Sequence, residues 1–282
     1  MNIQWFPGHM TKTRRLIAEN LKLVDCVLEI ADARLPSSSR GPLLNELIAS
    51  KPRILVLNKA DIADEKVNAE WANYFASQNI PVLFTNSRDT RVYDPVYRAI
   101  SSALSETLKR WRERGQTGRV IRVMVAGVPN SGKSTFINSL SGRKSAKTGD
   151  RPGVTTGKQW IGLRSLELLD TPGILWHKFD DPETGIKLAF SGAVRDAVYD
   201  VEELATLLLE FLRDNYPAEL EARYKLKDTK DMGGPDILTA LCRARGFLAG
   251  GGEFDTERGA NVLLDEFRGA KIGRISLERP PV

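Results

Sequence analysis

The sequence predicts an α/β protein with a mainly parallel sheet, followed by an all-α carboxy-terminal domain. Three observations carry this. Short apolar runs of strand length alternate with helical stretches through the first half of the chain, the pattern of crossover units. One of those runs opens into the glycine-rich stretch "GVPNSGKS", Gly127 to Ser134. Beyond about Pro182 the strand pattern stops, and helical stretches separated by polar or Gly/Pro-rich breaks take over.

Taken in order, a helix is expected from about Thr11 to Leu23, with a threonine as its cap. Strands follow at "VDCVLEIADA" (24–33), "RILVLNK" (53–59), "IPVLFTNS" (80–87) and "VIRVMVAG" (120–127). Their continuous apolar character suits strands covered on both faces. Helical stretches near 42–50, 66–78 and 92–114 connect them, and another runs from about Lys133 to Leu140. "KQWIGL" and "LELLD" read as a further extended pair. The expected domains are 1–178, containing the sheet, and 179–282, a helical domain with one extended segment, "GRISLE", near its end.

Composition sets the outer limits. The chain has 282 residues, 41% hydrophobic and 27% charged, the profile of a globular protein with a sizeable core. A net charge of +5 fits a polyanionic partner without requiring one. Cys26 and Cys242 lie far apart with no metal-ligand spacing, and are expected as buried thiols in a reducing compartment. The opening "MNIQWFPGHM" has no apolar signal-peptide core, and no apolar run is long enough to span a bilayer. The expectation is a cytoplasmic protein with no membrane partner.

The chemistry concentrates in four short motifs. "GVPNSGKS" fits G-x-x-x-x-G-K-[ST] between an expected strand and an expected helix, the context that a phosphate-binding loop needs. Its backbone N–H groups, from Asn130, Ser131, Gly132, Lys133, Ser134 and Thr135, would cradle phosphates at a helix amino terminus. Lys133 would reach the β- and γ-phosphates, and Ser134 would place its hydroxyl on Mg²⁺. "LLDTPG" brings Asp170 to the end of a strand, where its carboxylate can hold Mg²⁺, and offers the Gly173 N–H to the γ-phosphate. Between them, "RPGVTT" supplies a loop threonine for Mg²⁺, taken as Thr155. "NKAD" ends another strand: the Asp61 carboxylate accepts from guanine N1–H and its exocyclic amine together, a donor pair that adenine lacks. Asn58 and the stem of Lys59 complete that reading, and Asn86 and Ser87 of "TNS" would add contacts to the base.

The motif order is unusual, because the base-reading loop precedes the phosphate loop. A parallel sheet gathers its ligand loops at the carboxyl ends of its strands, so position in space matters and order along the chain does not. The order is that of a circularly permuted P-loop GTPase domain, with residues 88–119 as the joining segment. In "WFPGHM", "LNKAD", "GVPNSGKSTFIN", "AKTGDRPGVTT", "LELLDTPGILW" and the tail "GRISLE", the sequence resembles the ribosome biogenesis GTPase A family of circularly permuted GTPases. The resemblance implies a GTPase that assists late assembly of the large ribosomal subunit, binds its rRNA, and uses a helical carboxy-terminal domain on the ribosome. It is expected to be a monomer off the ribosome.

Hydrolysis needs a group to orient water. The position after Gly173 that often carries glutamine in small GTPases is Ile174, which has no hydrogen-bonding group. The resemblance points to His9 of "FPGHM" as the catalytic residue, and His177 is the alternative. By analogy with related GTPases, Asn130 is also a candidate ligand for K⁺ beside the phosphates. Basic clusters at Lys12, Arg14 and Arg15, at Lys109, Arg110, Arg112 and Arg114, and at Arg143, Lys144, Lys147 and Arg151 are candidate RNA contacts, although such clusters are more often solvated faces. Two other classes stay open at this stage. One is a nucleotide-gated binding module whose hydrolysis only times release. The other is a metabolic P-loop kinase, against which "NKAD" weighs.

Overall fold

The structure is a computed structural model and describes residues 10–86, 92–142, 159–173 and 181–281. Within these, contacts group the chain into two compact units. One comprises residues 10–173 with 276–281, and the other residues 181–275.

The first unit is built on a sheet of six described strands: β1 (Cys26–Asp32), β2 (Arg53–Asn58), β3 (Val82–Thr85), β4 (Ile121–Gly127), β5 (Gln159–Leu163) and β6 (Leu166–Asp170). Their order across the sheet is β3-β2-β1-β4-β6-β5. Every neighbouring pair is parallel except the edge hairpin β5–β6. Burial explains why β1 reads as an unbroken run. It is central, and all seven of its residues are buried, Glu29 and Asp32 included. Glu29 is held by Arg40 at 3.3 Å and Arg53 at 3.5 Å, as a buried charge must be.

Helices cover both faces. On one, Cys26, Leu28 and Ile30 pack with Val96 and Ile100 of α4 (Tyr93–Ala103) and with Phe136, Ile137 and Leu140 of α6 (Lys133–Ser141). On the other, Val27 meets Ile17 and Leu21 of α1 (Met10–Leu21) and Leu44 and Ile48 of α2 (Pro42–Ile48). Ala31 and Leu57 meet Val67, Trp71 and Phe75 of α3 (Glu65–Ser77). The period-2 alternation of one central strand thus seats helices on opposite sides.

The expected helix over 92–114 is two helices. α4 stops at Leu104, whose φ of −104° and ψ of 14° break the run, and α5 (Ser105–Glu113) buries none of its residues. Cys26 and Cys242 are both buried, and burial pushes the Cys26 thiol up to about 12.

In the second unit, α8 (Val201–Asn215) packs against α10 (Gly234–Arg245), α11 (Thr256–Arg268), α9 (Pro217–Tyr224) and α7 (Pro182–Phe190). Leu204, Leu208 and Leu212 form its buried stripe. Asp200 caps α8 by accepting from Glu203 N–H, and Asp255 caps α11 by accepting from Arg258 N–H, which satisfies amides that have no intrahelical partner. The tail "GRISLE" forms no strand. From Ser276 onward it packs with the sheet unit, although the sequence places all of 179–282 in the helical domain. Ser276 and Leu277 are buried there, at 4% exposure each.

Candidate nucleotide site

The strand registers line up the carboxyl rim of the sheet. Asp32 of β1 stands beside Asn58 of β2, and Asn58 beside Thr85 of β3. On the other side Ile30 stands beside Gly127 of β4, and Val125 beside Asp170 of β6. The base motif, the phosphate motif and the Asp-x-x-Gly motif therefore open onto one edge.

The phosphate loop runs from Gly127 into α6, whose amino-terminal cap is Gly132, with φ of 87°. Gly127 has no room for a side chain, since a Cβ there would lie 2.1 Å from the Ile30 carbonyl oxygen. The loop is braced by its own polar groups. Ser131 Oγ donates to the Val128 carbonyl at 2.9 Å, and Lys133 Nζ donates to the same oxygen at 3.0 Å. Lys133 is buried at 6% exposure. Burial pulls its ammonium down to about 8, against the partial support of the Asp170 carboxylate. An anion delivered to this loop would stabilise the charged form that burial disfavours, which is the electrostatic demand of a phosphate site.

Asp170 is buried at the end of β6. Next to it, Thr171 Oγ1 donates to the Val125 carbonyl at 2.8 Å and ties this end to β4. Gly173 follows within van der Waals reach of the phosphate loop: a Cβ on it would meet Pro129 Cα and N at 2.9 Å. The loops after β4 and β6 thus touch backbone to backbone, and only glycine permits it. Asp170 and Ser134 offer a carboxylate and a hydroxyl, the hard oxygen donors that suit Mg²⁺.

Across the rim, Asn58 is buried, and its Nδ2 donates to the carbonyl of Ser131, 73 residues away in sequence, at 2.8 Å. Thr85 Oγ1 donates to Asn58 Oδ1 at 3.3 Å. Lys59 takes a left-handed φ of 62°, and its Nζ donates to Asp32 Oδ2 at 2.9 Å. Ala60 N–H donates to the Thr85 carbonyl at 3.1 Å, tying the loop to the end of β3. Asp61 is exposed, and Asn86 is half-buried.

Asp32 and Arg34 are the residues that the sequence reading missed. Arg34 is buried and forks onto Asp32, with Nε 3.0 Å from Oδ1 and Nη2 2.8 Å from Oδ2. Burial works to raise the Asp32 carboxyl, but the charges of Arg34 and Lys59 and their hydrogen bonds win and hold it well below the carboxylate range. The available signal was an acid at the last position of an otherwise apolar strand. His9, Ser87, Thr155 and His177 lie outside the described residues, as does Ile174.

A parallel sheet with a lysine-bearing phosphate loop, an Asp-x-x-Gly turn and an Asn-Lys-x-Asp loop on one rim defines a P-loop protein of the GTPase class. Comparison with known proteins agrees. The family described as 50S ribosome-binding GTPase matches residues 122–232. Proteins named ribosome biogenesis GTPase A from Priestia megaterium and Bacillus pumilus are 44% and 42% identical, each match covering 99% of this chain and 98% and 99% of the relative. A solved structure titled as GDP-bound YlqF is 30% identical with a TM-score of 0.68, covering 94% of this chain and 99% of its own. The chain belongs to the ribosome biogenesis GTPase A family, and its reaction is the hydrolysis of GTP. Among the described residues, no helix is long and apolar enough to cross a membrane.

Proposed function

We propose that this protein is an assembly factor for late maturation of the large ribosomal subunit, and that its GTP lies across the carboxyl rim of the sheet. The base sits toward β2 and β3, and the phosphates toward β4 and β6. The observation that carries this reading is the bond from Asn58 to the Ser131 carbonyl, which makes the base motif and the phosphate motif neighbours. Asp61 accepts from guanine N1–H and the exocyclic amine, Lys59 lays its stem along the base, and Asn86 and Ser87 add contacts. The loop from Asn130 to Thr135 holds the phosphates, with Lys133 on the β- and γ-groups and the Gly173 N–H on the γ-group. Asp170, Ser134 and Thr155 hold Mg²⁺, which when bound neutralises phosphate charge. Asn130 holds K⁺. His9 orients the attacking water, with His177 as the alternative.

The domain is circularly permuted. Support comes from the family match, which starts at Arg122 in the strand before the phosphate loop and leaves the Asn58–Asp61 loop outside it. Residues 1–178, joined by the tail from Ser276 onward, form the GTPase domain, and 179–275 the domain that engages the ribosome. Binding to rRNA is supported by two exposed basic features of the sheet unit. Helix α5, with no buried residue, carries Lys109, Arg110 and Arg112, with Arg114 just beyond it. A cleft of about 640 Å³ is lined by Arg119, Arg122 and Arg164, against the single acid Glu167, which pairs with Arg122. The protein acts in the cytoplasm and is a monomer off the ribosome.

The test is single-turnover hydrolysis with and without large subunits. Subunits should accelerate the wild type. His9→Ala should lose about a hundredfold of the stimulated rate with nucleotide affinity intact. A full stimulated rate in that variant would remove His9 from catalysis, and displacement of GTP by ATP would overturn the guanine reading.

A further inference from the structure

The tail "GRISLE" has no part in the function proposed above, yet its last residues are built into the sheet unit. Ser276 Oγ accepts from the backbone N–H of Asp64 at 3.1 Å. Leu277 N–H donates to the carbonyl of Arg34 at 2.6 Å. The Glu278 carboxylate accepts from the N–H groups of Ser37 at 2.8 Å and Ser38 at 3.1 Å, and from the Ser38 hydroxyl. The Glu278 carbonyl accepts from the indole N–H of buried Trp71 at 3.2 Å.

These contacts land on two segments, and both flank the candidate guanine loop. Asp64 ends the loop that begins at Asn58, and its side chain caps α3 by accepting from Lys66 N–H at 2.9 Å. The other segment follows β1. There the tail grips Arg34, Arg34 forks onto Asp32, and Asp32 holds Lys59. Each end of the loop is thus reached from the tail through at most three hydrogen-bonded residues. The loop itself needs such support, because Lys59 sits at positive φ and Asp61 is exposed. A loop that is ordered before the base arrives spares the ligand the entropy of ordering it.

We propose that the tail Ser276–Glu278 is a positioning element for guanine recognition. It clamps the two segments that place Lys59 and Asp61, with Glu278 as its anchor. This rests on the reading of Asn58–Asp61 as the guanine loop. The effect belongs to the base end of the nucleotide, since the phosphate loop has its own bracing from Ser131 and Lys133. By linkage, bound guanine holds the tail in place as strongly as the docked tail favours guanine. The tail follows directly on residue 275, the last of the helical unit, so a partner that draws the tail away would loosen the nucleotide.

The experiment measures binding of GDP and inosine diphosphate to the full-length protein. Inosine lacks the exocyclic amine, so the ratio of the two affinities reports where the Asp61 carboxylate stands. Glu278→Ala should weaken GDP about tenfold and inosine diphosphate less, narrowing the ratio. Glu278→Gln keeps an acceptor and should recover part of the loss. Ser276→Ala should act in the same direction more weakly, and it carries the test if Glu278→Ala does not fold. Wild-type ratios in the tail variants that fold would overturn the proposal, because a tail that only stabilises the fold has no reason to tell guanine from inosine. Asp61→Asn separates the two levels. If it collapses the ratio while the tail variants keep it, only the tail proposal fails. If it leaves the ratio unchanged, the guanine reading fails and takes the tail proposal with it.

Discussion

Asp32 in the sheet unit and Glu266 in the helical unit are both buried carboxylates gripped by an arginine fork, yet their surroundings differ. Asp32 accepts from Arg34, which is as buried as itself, and also from Lys59 in the candidate guanine loop. Glu266 of α11 accepts from Arg223 Nε at 2.9 Å and from the Tyr224 hydroxyl at 2.8 Å, both on α9, with Arg245 at the end of α10 3.6 Å away. The Arg223 hydrogen bond is the main cause holding the Glu266 carboxyl below its ordinary range, and Arg223 itself reaches solvent at 31% exposure. One cluster joins a strand end to a ligand loop, whereas the other ties three helices together. The same chemistry should therefore be felt at the nucleotide in the first case and only in stability in the second.

The largest effect is expected from Asp32→Asn. It leaves Arg34 buried without its counter-charge and Lys59 without its anchor, at a cost of about 3–5 kcal/mol to the sheet unit. All five tryptophans of the chain precede the helical unit, so tryptophan fluorescence in urea reads this loss directly. GDP affinity should fall with it. If stability falls and GDP binding does not, Lys59 is not positioned through Asp32.

Glu266→Gln comes next. Arg223 can turn to solvent, so the loss should be smaller, about 1–3 kcal/mol, and confined to the helical unit. Circular dichroism at 222 nm should register it, while GDP affinity stays at the wild-type value. A matching fall in GDP affinity would break the contrast between the two clusters.

What could be read from the sequence follows the same division between local and distant causes. The strand "CVLEIAD", the phosphate loop and the Asn-Lys-x-Asp loop announce themselves because their chemistry lies within a few consecutive residues. Two features were not readable. The break at Leu104 has no glycine or proline to mark it. Val96, Ile100 and Leu104 are fully buried against the sheet, whereas α5 only half-buries Leu108 and Trp111 on the same core. The Glu278 clamp is invisible for a different reason, because its partner Ser37 is 241 residues away and nothing in "GRISLE" says what it will meet. Asp32 falls between these cases. An acid ending an apolar strand is a visible anomaly, but only the fold brings Lys59 to it.

The smallest expected effect sharpens the comparison within the tail itself. Arg279 stands beside Glu278 and pairs with Glu70 of α3 at 2.6 Å, but its side chain is 65% exposed and that of Glu70 is 40% exposed. An ion pair this open to water is screened and contributes about 0–1 kcal/mol. Arg279→Ala should therefore leave the urea midpoint nearly unmoved and the ratio of GDP to inosine diphosphate affinity at the wild-type value. Glu278 is half-buried and accepts from two backbone amides and a hydroxyl, so its removal should cost more than that of one open ion pair. If the two neighbouring variants moved the ratio equally, the tail would act through its overall adhesion to the sheet unit. Tail docking would then be a matter of contact area, and Glu278 would lose its place as the anchor.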